Sequence, residues 1–137
     1  MKPRRKTARC ILYNDDAYFL AVHSSFWRSK KPRWGIPGGG IEWRETPEQA
    51  VRRELHEELK VEVGELLDLG DFIYKRARHR VLAAPYPHRI DDFDDRELLE
   101  IGWFSSNEIY QMERANKLHA GYEADAIRAL QSKLATS

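Results

Sequence analysis

Residues 34–42 form a segment that a regular helix cannot cross. The segment reads Trp-Gly-Ile-Pro-Gly-Gly-Gly-Ile-Glu, so Pro37 is followed directly by three glycines. Proline lacks a backbone donor and glycine weakens a helix, so the pair of signals predicts a turn. Because glycine has no side chain, the backbone of this turn can also come close to a ligand.

A helix is predicted directly after this turn, from Thr46 to about Lys60. Thr46 has the residue type of an N-cap, Pro47 suits the first helical position, and Gln49 completes a capping box. Apolar residues recur at helical spacing along one side, at Ala50, Val51, Leu55 and Leu59. We therefore expect one face of the helix to pack against a core.

Three glutamates crowd together on this predicted helix. Glu54, Glu57 and Glu58 are spaced i, i+3 and i+4, which places their carboxylates side by side. Each like-charged pair costs about 0.2–0.5 kcal/mol on an exposed helix. A divalent cation would offset this repulsion, and oxygen ligands suit Mg²⁺, Mn²⁺ or Ca²⁺ rather than zinc. A solvated acidic face is the alternative when the three glutamates are taken alone.

The spacing of polar residues from Gly39 onward resembles a known signature. The order is Gly39, five positions, Glu45, seven positions, Arg53-Glu54-Leu55, one position, and Glu57-Glu58. This is similar to the signature of the Nudix hydrolases, which cleave a nucleoside diphosphate linked to another moiety. A long motif with fixed polar identities is far more specific than a glycine-rich loop alone.

The signature departs from the family pattern at Lys60, where relatives carry glycine. That glycine would end the helix in the left-handed conformation, in which a residue with a Cβ costs roughly 1 kcal/mol. We expect the departure to change the helix exit and not the chemistry, because Lys60 follows the last glutamate.

The resemblance implies an α/β fold, a Nudix-type α/β/α sandwich with a mixed β-sheet, and a magnesium cofactor for which Mn²⁺ is a substitute. The implied metal ligands are Glu54, Glu57, Glu58 and the backbone carbonyl of Gly39. Arg53, counted with the catalytic residues, is expected to set the geometry of the carboxylates, with Glu45 orienting the loop through it.

In this family a further acidic residue comes from a loop before a strand like Trp103-Phe104-Ser105. Glu97 and Glu100 both fit that place, and we favour Glu97, with an exposed acidic loop as the alternative for both. The general base stays open among Glu54, Glu57 and Glu97.

Basic residues on both sides of the signature are candidates for binding substrate phosphates. Arginine can donate two hydrogen bonds to one anion, and lysine binds phosphate as a point charge. Arg28, Arg33, Lys75 and Arg76 are therefore predicted as phosphate contacts, with a solvated surface charge as the alternative for each. The five histidines show no spacing typical of metal ligands, so none is assigned a metal.

Composition limits the number of domains, the partners and the location that the chain is expected to have. The 137 residues are predicted to form one domain, 1–137, and a formal charge of +1 gives no strong field towards nucleic acid or membrane. No apolar run approaches the ~20 residues of a membrane-spanning helix, and no signal peptide is evident, so a cytoplasmic protein is expected. The single cysteine, Cys10, excludes an intrachain disulfide.

The remaining elements follow from alternation and turn signals. Strands are predicted at 7–13, 17–22, 33–36, 40–43, 80–86 and 98–104, an extended stretch with breaks or bulges at its glycines at 61–75, and helices at 105–112 and 119–133.

The resemblance leaves three functions open. The first is hydrolysis of a small nucleotide diphosphate derivative, such as a nucleoside triphosphate or a nucleotide sugar. The second is a sensor without turnover, disfavoured because Arg53 and all three glutamates are present. The third is trimming of RNA 5′ ends, disfavoured by the low net charge. Family members often form dimers, so a homodimer is a candidate assembly.

Overall fold

Two groups of three strands, each followed by helix, make up the part of the chain that the computed structural model describes, residues 5–24 and 32–136. The strands are β1 (Arg5–Asn14), β2 (Ala17–His23), β3 (Gly38–Gly40), β4 (Leu67–Tyr74), β5 (Ala77–Pro85) and β6 (Leu98–Ser105). The helices are α1 (Pro47–Leu59), α2 (Ser106–Arg114) and α3 (Glu123–Ala135). None of these helices has the length and apolar character needed to cross a membrane.

The strands form one mixed sheet in the order β4-β5-β1-β2-β6, and β3 pairs with β1. β1 and β5 run parallel over their full length, from Arg5↔Ala77 to Tyr13↔Pro85. The other pairings are antiparallel. The mixed sheet predicted from the resemblance is therefore confirmed.

The glycine-rich segment lies between β1 and β2. These two strands pair next to their hairpin, at Tyr13↔Tyr18 and Asn14↔Ala17. Farther along, the Cys10 amide donates to the Pro37 carbonyl at 2.9 Å, and β3 pairs with residues 7–9 of β1. The sheet thus opens at this point and receives the segment that leads into α1.

Close packing explains why glycine is needed in β3. Gly38 has a φ of +150°, and a Cβ there would lie 2.1 Å from the Ala8 carbonyl oxygen. Two strand predictions nearby are wrong in extent. Residues 33–36 make single bridges at Trp34 and Gly35, and the strand placed at 40–43 ends at Gly40.

Two apolar cores lie on opposite faces of the sheet. Val51, Leu55 and Leu59 of α1 pack on one face, with alternate residues of β1, β2 and β5. Ile109 of α2 and Ile127 of α3 pack on the other. Full burial of each such side chain contributes about 1.5–3 kcal/mol. This is the predicted α/β/α sandwich.

The ends of α1 follow the local signals. The Thr46 hydroxyl accepts from the Gln49 amide at 3.1 Å, and Gln49 Oε1 accepts from the Thr46 amide at 2.9 Å, so the capping box is confirmed. Lys60 ends the helix in the left-handed conformation, with φ 57° and ψ 33°. The position where the family carries glycine therefore does require that conformation.

The last helix is shorter than predicted. Residues 119–122 are not helical, and α3 begins at Glu123. Gly121 has a φ of +90°, which a helix does not accept, and this moves the start of the helix past it. The bulge predicted at a glycine of the extended stretch is present, as a register shift between Asp68 and Gly70.

Candidate active site

Helix α1 carries the three glutamates on neighbouring turns, with graded exposure to solvent. The side chain of Glu58 is 3% exposed, that of Glu54 16%, and that of Glu57 56%. Glu58 therefore faces the interior, while Glu57 borders an open cavity of about 590 Å³ that it shares with residues 92–96. One helix face thus leads from buried to accessible carboxylates.

Arg53 joins the helix to the loop before it. Its Nε and Nη2 donate to both carboxylate oxygens of Glu45, at 2.7 and 2.9 Å. Its Nη1 donates to Glu54 Oε1 at 2.7 Å and approaches Glu57 at 3.5 Å, and its Nη2 also donates to the Gly40 carbonyl at 3.0 Å. One guanidinium therefore holds two carboxylates and the glycine loop in a single arrangement.

The backbone of Gly39 lies directly against Glu54. A Cβ at Gly39 would come within 2.6 Å of the Glu54 carboxyl carbon and 2.7 Å of Oε1. No side chain fits in that gap, so glycine is required for the loop and the carboxylate to approach. This places the loop backbone beside the acidic helix face.

Burial and hydrogen bonds from Arg53 shift the pKa values of the Glu54 and Glu45 carboxyls. Burial raises the pKa of the Glu54 carboxyl, Glu58 and Glu57 raise it further, and the Arg53 hydrogen bond opposes the shift. The hydrogen bond from Arg53 lowers the pKa of the Glu45 carboxyl. The surroundings of Glu54 therefore disfavour its charged form, whereas those of Glu45 favour it.

The loop before β6 docks on the end of α1. The Asp94 amide donates to the Glu58 carbonyl at 2.8 Å, which satisfies an unpaired carbonyl of the last turn. The Glu97 amide donates to the Asp94 carbonyl, and the Ser24 amide donates to the Glu97 carbonyl. These bonds bring Glu97 and the end of β2 to the acidic face.

His23 is a residue of this site that sequence reasoning missed. Its Nε2 lies 3.3 Å from Glu58 Oε2 and 3.1 Å from Glu97 Oε2. We assigned it no role because its spacing to the other histidines carries no metal pattern. Its position at the end of a strand that leads to the glycine-rich loop was the available signal, and it is weak.

A bulge decides between Glu97 and Glu100. The pairing of β2 with β6 shifts between Val22↔Glu100 and His23↔Leu98. Ile101 and Trp103 pack on the α1 face, so strand alternation directs Glu100 to the opposite face. Glu97 is the one of the two that reaches His23.

The predicted phosphate contacts that fall within the described residues lie in a loop and a turn. Arg33 Nη1 donates to Asn116 Oδ1 at 3.0 Å, beside the α2–α3 connection. Lys75 and Arg76 do not lie on a strand as expected. Both have positive φ angles and form the two-residue turn between β4 and β5, where the Lys75 ammonium lies 5.4 Å from the Tyr74 ring. Arg28 lies outside the described residues.

The donor set fits a divalent cation. Among the described residues, Oε1 of Glu58 is buried and has no hydrogen-bond partner. A buried carboxylate without a partner is costly, and hard oxygen ligands of this kind are those that divalent ions such as Mg²⁺ bind.

Comparison with known proteins assigns the chain to a family. Residues 3–126 match the profile of the NUDIX domain, so the chain belongs to the Nudix family. It is 41% identical over 69 residues to the nucleoside triphosphatase NudI of Salmonella agona, covering 50% of this chain and 46% of NudI. It is 29% identical over 122 residues to a MutT-like protein of Streptomyces ambofaciens, covering 85% of this chain and 73% of that protein.

The fold agrees with solved structures of the family. A mutT/nudix family protein from Listeria innocua superposes with a TM-score of 0.74 at 23% identity, covering 99% of this chain and 97% of that one. The chain spans about half the length of the NudI relatives it matches. Fold and family are therefore established by the comparisons.

Proposed function

We propose that this protein hydrolyses a phosphoanhydride bond in a nucleoside diphosphate-linked small molecule, with Mg²⁺ as its cofactor. The observation that carries the proposal is the gathering of Glu54, Glu57 and Glu58 on α1, with Glu54 against Gly39. Membership of the Nudix family supports it, as does the similarity to a protein named nucleoside triphosphatase.

The proposed ligands of the ion are Glu54, Glu57 and Glu58, with the Gly39 carbonyl as a further oxygen. When bound, the ion neutralises charge on the substrate phosphates and activates water for in-line attack. Arg53 keeps the Glu54 carboxylate turned towards Gly39 through a 2.7 Å hydrogen bond. Since misplacing a ligand costs affinity, Arg53 acts by positioning.

Solvent exposure indicates which acidic side chains can reach the substrate. Glu57 is 56% exposed and Glu97 52% exposed, so both can meet a substrate or a water molecule. The general base is proposed to be one of Glu54, Glu57 and Glu97. The cationic side chains of Arg28, Arg33, Lys75 and Arg76 remain the proposed phosphate contacts.

A hydrolysis screen tests the proposal. The purified protein is incubated with nucleoside triphosphates, nucleotide sugars and dinucleoside polyphosphates in Mg²⁺ or Mn²⁺, and released phosphate or pyrophosphate is measured. We expect turnover of at least one class and a fall of about 100-fold or more in Glu57→Gln, because the ligand supplies several kcal/mol of charge stabilisation.

Glu48→Gln is the matched control, because Glu48 is an exposed glutamate in the first turn of the same helix. It should keep wild-type turnover. Absence of hydrolysis across the panel, or a Glu57→Gln variant as active as the control, would refute the proposal.

A further inference from the structure

Three side chains from separate parts of the chain converge beside the acidic helix face. His23 ends β2, Glu58 belongs to the last turns of α1, and Glu97 precedes β6. The His23 Nε2 lies 3.3 Å from Glu58 Oε2 and 3.1 Å from Glu97 Oε2, and the three ligand atoms lie within 4.8 Å of one another. We refer to these three residues as the His23 cluster.

Two of the three separations in the His23 cluster match that of adjacent ligands around a cation. Ligands at about 2.1 Å from an octahedral ion stand about 3.0 Å apart when they are neighbours. The two measured separations, 3.1 and 3.3 Å, are close to that value. Nε2 carries at most one proton, so it cannot form two linear hydrogen bonds, and a shared cation is an alternative way to hold both carboxylates beside it.

Glu58 provides an independent observation. Its side chain is 3% exposed, and its second oxygen, Oε1, has no hydrogen-bond partner in the described part of the chain. Such a group is expensive to bury unless a positive charge accompanies it. The most buried member of the cluster therefore has an acceptor oxygen that no described residue satisfies.

We infer that His23, Glu58 and Glu97 together bind a divalent transition ion, and that the His23 nitrogen makes this position select Mn²⁺ over Mg²⁺. Mg²⁺ prefers an all-oxygen shell, whereas Mn²⁺ shares its preference for carboxylates and, as a transition ion, also accepts a nitrogen ligand. The inference rests on the proposed function, because Glu58 is shared with the magnesium ligands. Glu58 would then link two adjacent ion positions.

Pulsed electron paramagnetic resonance on the full chain with one equivalent of Mn²⁺ tests direct coordination. We expect modulation from a bound ¹⁴N nucleus in the wild type, its loss in His23→Gln, and its retention in His88→Gln. His88 is an exposed histidine that packs edge-on against Tyr86, so it controls for the chemical change. A wild-type spectrum without ¹⁴N modulation would overturn the inference.

Direct binding measurements test selectivity. His23→Gln should raise the Mn²⁺ dissociation constant about tenfold or more, since even residues that only orient a ligand contribute that much. The Mg²⁺ dissociation constant should change much less. Equal losses for both ions would show that His23 acts only as a hydrogen-bond donor, and the inference would fall. If His23→Gln does not fold, Glu97→Gln replaces it, and there a retained Mn²⁺ affinity would overturn the inference.

Hydrolysis with Mg²⁺ alone, measured on the same preparations, separates the two proposals. Turnover without ¹⁴N modulation removes the inference and leaves the proposed function. Modulation from ¹⁴N without turnover of any substrate class removes the proposed function and leaves the inference about the His23 cluster.

Discussion

Among the described residues, one glutamate on each face of the sheet is almost fully buried, and the two differ in their hydrogen bonding. On the α3 face, Glu123 is 1% exposed, and its two carboxylate oxygens accept the Ala120 and Gly121 amides at 2.8 Å each. On the α1 face, Glu58 is 2% exposed, and one of its oxygens has no partner among the described residues.

The difference shows what burial of a carboxylate means in this protein. Glu123 accepts hydrogen bonds from backbone amides that precede α3, so both of its carboxylate oxygens are satisfied within the chain. Glu58 contacts His23 through Oε2, but no described residue satisfies its Oε1, so that oxygen is left for a group outside the described residues. A buried acid with satisfied oxygens is structural, whereas one with an unsatisfied oxygen indicates a binding site.

The largest expected effect comes from removing the charge of Glu58. Glu58→Gln keeps the shape of the side chain, so we expect turnover to fall by about 100-fold or more while the protein stays folded. The turnover number and the melting temperature are measured on the same sample. Near wild-type activity in this variant would show that Glu58, like Glu123, has only a structural role.

A second effect concerns pH on the α3 face. Burial and then the nearby Arg9 lower the pKa of His79 from 6.5 to about 4, and its Nδ1 contacts the Tyr122 hydroxyl. As pH falls from 6.5 to 4, the unfolded chain takes up a proton at His79 and the folded chain does not, so stability is lost. The loss from this group is roughly 3 kcal/mol at most.

Urea denaturation of wild type and His79→Gln across pH 4.5 to 7.5 measures this contribution. The variant should lose less stability on acidification than the wild type, and His88→Gln should behave as the wild type. Parallel pH profiles for wild type and His79→Gln would show that His79 does not sense pH.

The structural role of Glu123 predicts a smaller effect. Glu123→Gln places an amide group where a carboxylate oxygen accepts a backbone hydrogen bond, so we expect a destabilisation of about 1–3 kcal/mol. Turnover per folded molecule should stay at the wild-type level. A large loss of turnover without loss of stability would move Glu123 from the structural class to the functional one.

The smallest effect concerns the end of α1. Lys60→Gly should relieve the left-handed backbone at φ 57° and raise stability by up to about 1 kcal/mol, with activity intact. Lys60→Ala keeps the strain and should give no such gain. A Lys60→Gly variant that melts no higher than Lys60→Ala would show that the strain is absorbed elsewhere.

Local features could be predicted from the sequence because they depend on residues within one helical turn of each other. The capping box at Thr46 and the shared face of Glu54 and Glu58 are of this kind. The left-handed position of Lys60 followed from the resemblance, because relatives carry glycine there. Sheet class followed from the resemblance. Which basic residues meet the substrate depends on the placement of loops and turns, such as the turn that holds Lys75 and Arg76, and local signals do not fix that placement.

The sequence by itself determined that an acidic helix follows a glycine-rich turn, since those signals lie side by side in the chain. Only the tertiary structure decided which acids meet. It brought Glu97 to Glu58 through a backbone hydrogen bond from the Asp94 amide to the end of α1, turned Glu100 away with a one-residue bulge, and added His23 from β2. These choices depend on strand register and loop path, which are set by packing across the whole sheet and not by neighbouring residues.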